Sequence, residues 1–273
     1  MKKIYALFVA LTAVVSLSAK TVYLHVNDDW KSFGAVFFVH AWGGTADVDA
    51  KLVAVDGNDY LFSAEIADNN NLLFVRAQGE CESIPWETEN LWTQTYDMEI
   101  PADKDCFWLL GWTEGVWMVN GERPAVALVG DYAEDMWGAN ATNTMTPAED
   151  NATASVTLAL TAGTYEIKVW VEGFYMSLNG EGETLFNIHR DYNHADNVNM
   201  INDGRNFQLT ADMDGNYTFK WNYASRNLEV TFPTAAGIEN ANANTKAVKR
   251  IVNGQLVIEK NGVRFNALGA EMK

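Results

Sequence analysis

Only two of the 273 residues are cysteine and only five are proline, and basic residues are outnumbered 19 to 36 by acidic ones, leaving a net charge of −17. Each shortage removes a class of function. Two cysteines without a histidine pair at ligand spacing do not build a zinc site. So acidic a surface is repelled by phosphate backbones and anionic lipid headgroups, so no nucleic acid is expected as partner; a neutral ligand or a divalent cation stays open. The long apolar run, Ile4 to Leu17, is too short to span a bilayer. It follows Lys2 and Lys3 and ends at Ser16-Leu17-Ser18-Ala19, the pattern of a cleaved secretory signal, with no cysteine after the cut to accept a lipid. The chain is therefore expected outside the inner membrane, secreted or on the outer cell surface, without a transmembrane anchor.

Catalytic signatures are missing too. There is no serine nucleophile elbow, no metalloprotease helix and no phosphate-cradling glycine loop. Glycoside hydrolysis needs two carboxylates across a cleft, whereas Asp28, Asp29, Glu87 and Glu89 sit in turn sequences where acidic residues are ordinary. No enzymatic activity and no cofactor are expected. His189 and His194 lie near Asp191 and Asp196 and form either a weak cation site or a plain solvated loop. Asp212, Asp214 and Asn216 have the odd spacing of a calcium loop but no downstream Glu, because Lys220 and Trp221 follow; a hairpin turn is the simpler reading.

What the chain has in excess is tryptophan. Half of its ten tryptophans, Trp86, Trp92, Trp108, Trp112 and Trp117, fall between Cys81 and Met118. An indole is large and carries one N–H that needs a partner when buried, so a small domain uses few in its core and places others where an apolar face meets a polar ligand. Each could be core or edge packing; as a set they predict at least one or two displayed rings, whose faces suit the C–H faces of sugars. The same window holds both cysteines. Export would permit a Cys81–Cys106 disulfide, closing a loop worth roughly 3 kcal/mol in the chain-entropy model. Two unrelated buried thiols are the alternative.

The rest reads as strands of alternating hydrophobicity. Thr21 to Val26 puts Val22, Leu24 and Val26 on one face and Tyr23 and His25 on the other. Gly34 to Trp42 is apolar on both faces, Asp47 to Val55 and Tyr60 to Ile66 flank an Asp56-Gly57 hairpin turn, and Leu72 to Arg76 follows. Short strands recur through the tryptophan window until Asn120-Gly121-Glu122-Arg123-Pro124 breaks the pattern. A second series begins at Ala125, with Val156, Leu158 and Leu160 alternating, then Tyr165, Ile167, Val169 and Val171. An asparagine-rich polar insertion spans Gly173 to Gly204, and Tyr217 to Trp221 and Asn227 to Phe232 close the series. The expected fold is all-β: two tandem antiparallel β-sandwich (immunoglobulin-like) domains plus a short C-terminal β-meander. The expected divisions are a signal peptide at 1–19, sandwiches at 20–121 and 122–233, a small-residue linker at 234–247 and a tail at 248–273.

Three stretches resemble known families. Thr21 to about Met118, through TVYLHVNDDW, AVFFVHAW, DGNDYLFSAEI and LLFVRAQG followed by WETENLWTQT, resembles family 26 starch-binding modules. In that family an α-glucan lies against aromatic side chains while amides and charged groups fix its hydroxyls. The resemblance implies Tyr23, His25, Trp30 and Trp42 as ligand contacts, with Trp92 and Gln94 beside them. Ala125 to Pro233, through VALVGDYAEDMW, LTAGTYEIKVW and DGNYTFKWNYASRNLEVTFP, looks like the β-sandwich modules of starch-utilisation surface lipoproteins. RIVNGQLVIEKNGVRFNALGAEMK is similar to C-terminal sorting signals of type IX secretion substrates, which implies recognition by that secretion machinery and release or attachment at the cell surface. Two functions stay open on the sequence: a non-catalytic carbohydrate-binding protein for a polysaccharide such as starch, or a structural or adhesive surface protein that binds other proteins and no glycan.

Overall fold

The computed structural model describes residues 20–134, 136–149, 152–178, 186–196, 198–200, 204–234, 248–252, 255–260, 263–266 and 270–272. The signal at 1–19, nearly all of the linker and both Asn-Gly turns of the tail lie outside the described residues. The fold is all-β, and the only α-helix among the described residues is the single turn α1 (Asp28–Lys31).

The first ten strands are β1 (Lys20–His25), β2 (Val36–Trp42), β3 (Val48–Lys51), β4 (Val53–Val55), β5 (Asn58–Ile66), β6 (Asn71–Ala77), β7 (Leu91–Gln94), β8 (Met98–Glu99), β9 (Cys106–Leu109) and β10 (Gly115–Met118). They form two sheets. One has the order β10-β9-β1-β5-β4; the other is β3-β2-β6-β7, with β8 also paired to β6. The segment from Asp47 to Val55, expected as one hairpin arm, is split between them: β3 pairs with β2, whereas β4 pairs with β5. Leu52 makes the corner, burying its side chain in the core and donating its N–H to the Phe37 carbonyl at 2.8 Å. The hairpin turn itself falls where expected, with Val55 opposite Asn58 and Gly57 at φ 79°, a value costly for a side-chain-bearing residue.

Between the two sheets lie Val22, Leu24, Phe37, Val39, Ala41, Leu72, Phe74, Phe107 and Leu109, the inward members of each alternation. The other face of β2 and β6 is covered as well. Phe38, Leu73, Val75 and Ala77 pack against Ile84 from the 78–91 loop, which explains why these strands read as apolar on both sides.

The second series is β11 (Val126–Gly130), β12 (Thr146–Pro147), β13 (Thr153–Leu160), β14 (Gly163–Val171), β15 (Phe174–Leu178), β16 (Phe186–Ile188), β17 (His194–Ala195), β18 (Val198–Met200), β19 (Phe207–Ala211), β20 (Gly215–Asn222) and β21 (Leu228–Thr231). One sheet runs β16-β19-β14-β15-β18 with β11 on β14, the other β12-β13-β20-β21-β17. No strand of the first series pairs with one of the second among the described residues. Pairing is antiparallel except for β1 with β9 and β16 with β19. The insertion expected to be a polar loop contributes β15 to β18. The Glu172-Gly173 turn, with φ 44° and 97°, folds Phe174 back opposite Val171.

Packing continues where pairing stops. One cluster of buried side chains runs from Trp108, Leu110, Val116 and Met118 into Leu128, Val169, Phe219 and Trp221 of the second series. Arg226, 1% exposed, bonds to the Leu110 carbonyl at 3.3 Å and to the side chains of Asn199 and Asp29. Its backbone is left-handed, at φ 54°. The described residues up to Phe232 thus form one compact unit, and those from Pro233 a second. The latter is an antiparallel meander of β22 (Val248–Val252), β23 (Gln255–Lys260), β24 (Val263–Asn266) and β25 (Glu271–Met272).

Candidate functional site

Of the six expected ligand contacts, Trp30 and His25 are buried and Tyr23 is half-buried. Trp30 is fully buried, because Asn27 caps α1 by accepting the Trp30 N–H on its Oδ1 at 3.0 Å and anchors its own amide on the Gly111 carbonyl at 2.9 Å. That cap drives the indole into the core against Phe37, where no sugar could reach it. His25 and Tyr23 occupy the face of β1 turned away from its own sandwich. Tyr23 packs on the cluster shared with the second series, and the buried His25 ring stacks on Trp108 at 3.5 Å. Burial, with Arg123 nearby, pushes the His25 pKa down to about 3, so the ring is neutral near pH 7.

The expected disulfide is not formed; both cysteines are free. Cys106 faces the cluster shared with the second series, whereas Cys81 packs against the cluster on the outer side of β2 and β6. Two sheets stand between them, far beyond the ~7 Å Cα separation a disulfide spans. Burial pushes the Cys106 thiol up to about 12, with the Asp105 charge adding to it.

Trp92, Trp42 and Gln94 remain accessible, and they fall into two surfaces. Trp92, on the edge strand β7 and 37% exposed, lies over the guanidinium of Arg76 at 4.6 Å. Trp112, 48% exposed, lies over the same guanidinium at 5.7 Å. Arg76 ends the inward alternation of β6 and is only 5% exposed. Its Nε donates to the Trp30 carbonyl at 2.8 Å, and its Nη2 to the carbonyl and hydroxyl of Ser32, both at 3.0 Å. Among the described residues, Nη1 has no hydrogen-bond partner. The buried Trp30 holds the other side of the platform by donating its Nε1–H to the Trp112 carbonyl at 2.6 Å.

The turn that accepts Arg76 also presents Phe33, 89% exposed and left-handed at φ 60°, a conformation unfavourable for an aromatic residue. The 78–91 loop closes on this turn so tightly that a Cβ on Gly79 would sit 2.4 Å from the Gly34 carbonyl oxygen.

The second surface is the outer face of β2. His40 stacks on Trp42 at 5.3 Å and meets the edge of Trp86 at 5.5 Å, while its Nδ1 pairs with Asp49 at 2.6 Å. Gln94 shares this face through its pairing with Val75. Trp86, Trp112 and Arg76 were not among the expected contacts. A lone arginine ending the apolar run LLFV was the available signal for Arg76.

Among the described residues, no group of three or more His, Cys, Asp or Glu side chains is placed to hold a metal ion. His194 lies 3.2 Å from Asp196, and the rings of His194 and His189 both stand against Tyr192, at 4.6 and 6.5 Å. No helix among the described residues is long and apolar enough to cross a membrane. No protein-family model matches the chain, and neither does any curated protein or solved structure.

Proposed function

We propose that this is an exported, non-catalytic carbohydrate-binding protein whose first sandwich takes an α-glucan such as starch on the Trp92–Trp112 platform. One observation carries the reading: two half-exposed indoles lie over a single buried guanidinium that keeps a donor unpartnered. Indole faces offer the flat apolar contact that a pyranose presents on its C–H side, and Nη1 offers a hydrogen bond to a ring hydroxyl. Each stacked ring would contribute on the order of 1 kcal/mol, so affinity for one sugar is weak and a polymer binds better by engaging several units. Trp42, His40 and Trp86 offer a second stacking surface to the same polymer. The signal-like N-terminus and the C-terminal meander support delivery to the cell surface through the secretion machinery that reads such tails.

The test is retention of the chain lacking residues 1–19 on immobilised starch, pullulan and unrelated polysaccharides. Retention on a glucan that falls about tenfold in Trp92→Ala and in Trp112→Ala, with unchanged far-ultraviolet circular dichroism and a cooperative unfolding transition, supports the proposal. Passage of the wild-type chain through every column would refute it and leave a protein-binding surface role.

A further inference from the structure

A cleft of about 790 Å³ opens where the two sandwiches meet, away from the tryptophan platform. Its volume is in the range of small-molecule sites. The first sandwich supplies His25, Trp108 and the stretch from Gly57 to Tyr60, with Asp28; the second supplies Asn222, Tyr223 and Ser225, and Arg123 comes from the segment between them. Neither sandwich forms the cleft alone.

We infer that this cleft binds a neutral polyhydroxylated ring, a single pyranose or the end of an oligosaccharide. The inference rests on the glycan-binding reading above and extends it to a second site of different shape. The chemistry of the walls narrows the ligand. Asp28 uses Oδ1 to accept the Tyr60 hydroxyl at 2.7 Å, and Asp59 meets Lys31 only at 3.9 Å, so carboxylate oxygens remain available as acceptors. An anionic ligand would confront both carboxylates, and a purely apolar one would strip water from them without compensation. A cation would have to sit beside Arg123. A ring of hydroxyls, each both donor and acceptor, matches a lining that mixes carboxylates, amide, hydroxyl and guanidinium.

The aromatic groups at the back of the cleft fit the same ligand. His25 and Trp108 are stacked within 6° of parallel, and Tyr60 lies nearly parallel to His25 at 6.3 Å. His25 is more than nine-tenths buried and held neutral, so it offers polarity to the cleft without a charge that an uncharged ring could not balance. Tyr223 also lines the cleft, edge-on to Trp108 at 5.8 Å.

The experiment is calorimetric titration of the full chain lacking residues 1–19 with glucose, maltose, maltotriose, cellobiose and xylose. At least one should bind with one-to-one stoichiometry, and equally well to a Trp92→Ala/Trp112→Ala double variant, which separates this cleft from the platform. Ser225→Trp fills the cleft and should reduce that affinity more than tenfold. Asp59→Ala removes an exposed acceptor without touching the core and should cost about tenfold, keeping the test valid if Ser225→Trp fails to fold. No binding of any of the five at millimolar concentration, or binding unchanged in Asp59→Ala, overturns the inference. Loss of small-sugar binding in the double variant also overturns it, by assigning that binding to the platform. Small-sugar binding without polymer retention would keep the cleft and discard the platform.

Discussion

The two sandwiches differ in how many tryptophans they display. In the second, Trp221 lies on the inward face of a central strand with Tyr217 and Phe219, all three buried, and only Trp137, on the loop after β11, is displayed among the described residues. In the first, Trp30 and Trp108 are buried while Trp86, Trp92 and Trp112 are displayed. Side-chain chemistry is the same; position relative to the sheet decides. A central strand has neighbours on both sides, so its inward ring is enclosed. An edge strand such as β7 and the loops at 81–90 and 110–114 leave one face of each ring in water. The displayed rings also stand on buried ones, since Trp30 holds both the Arg76 guanidinium and the Trp112 carbonyl.

The largest effect that separates buried from displayed rings should come from Trp30→Ala. Removing a fully buried indole is expected to cost about 3–5 kcal/mol of unfolding free energy, against under ~1 kcal/mol for Trp112→Ala, measured by urea titration. Similar losses in both variants would break the contrast.

His25 probes the packing between the sandwiches. Its folded pKa is depressed from 6.5 to about 3, so the unfolded chain takes up a proton first as the solution is acidified. The stability tied to the neutral ring is intact above pH 6.5 and is lost as pH falls through 6.5 toward about 3. Between those limits the wild type should lose up to about 1.4 kcal/mol per pH unit more than His25→Gln, in denaturant titrations at pH 7, 6, 5 and 4. Parallel slopes would mean that the ring is solvated rather than enclosed.

The smallest effect has the opposite sign. Phe33 is displayed at the cost of a left-handed backbone, so Phe33→Gly should raise stability by about 1 kcal/mol while weakening glucan retention if the ring contacts the polymer. A fall in stability would show that Phe33 is held by packing instead.

The strands were legible because alternation is a direct consequence of a two-residue side-chain period: Val22 and Leu24, or Ile167 and Val169, face inward where the pattern puts them. Three features were not. The sheet change at Leu52 leaves no mark, since one corner residue in an extended run keeps the alternation looking continuous. The strands β15 to β18 were hidden by asparagine and glycine around them, although Phe174 to Leu178 is itself apolar enough to pair. At the candidate site, burial was the missing quantity. Trp30 and Trp92 are equivalent as letters, and only the Asn27 cap and the edge position of β7 separate them.

Arg226 carries a consequence for how this protein can be taken apart. Its charged head belongs to the second half of the chain, yet two of its anchors, Leu110 and Asp29, belong to the first. Separating the halves near Gly121 would strip that cation of its carboxylate and one carbonyl partner and leave Trp108 and Leu110 bare. The halves are therefore expected to be inherited, expressed and shuffled as a couple, however separable their strand ladders look.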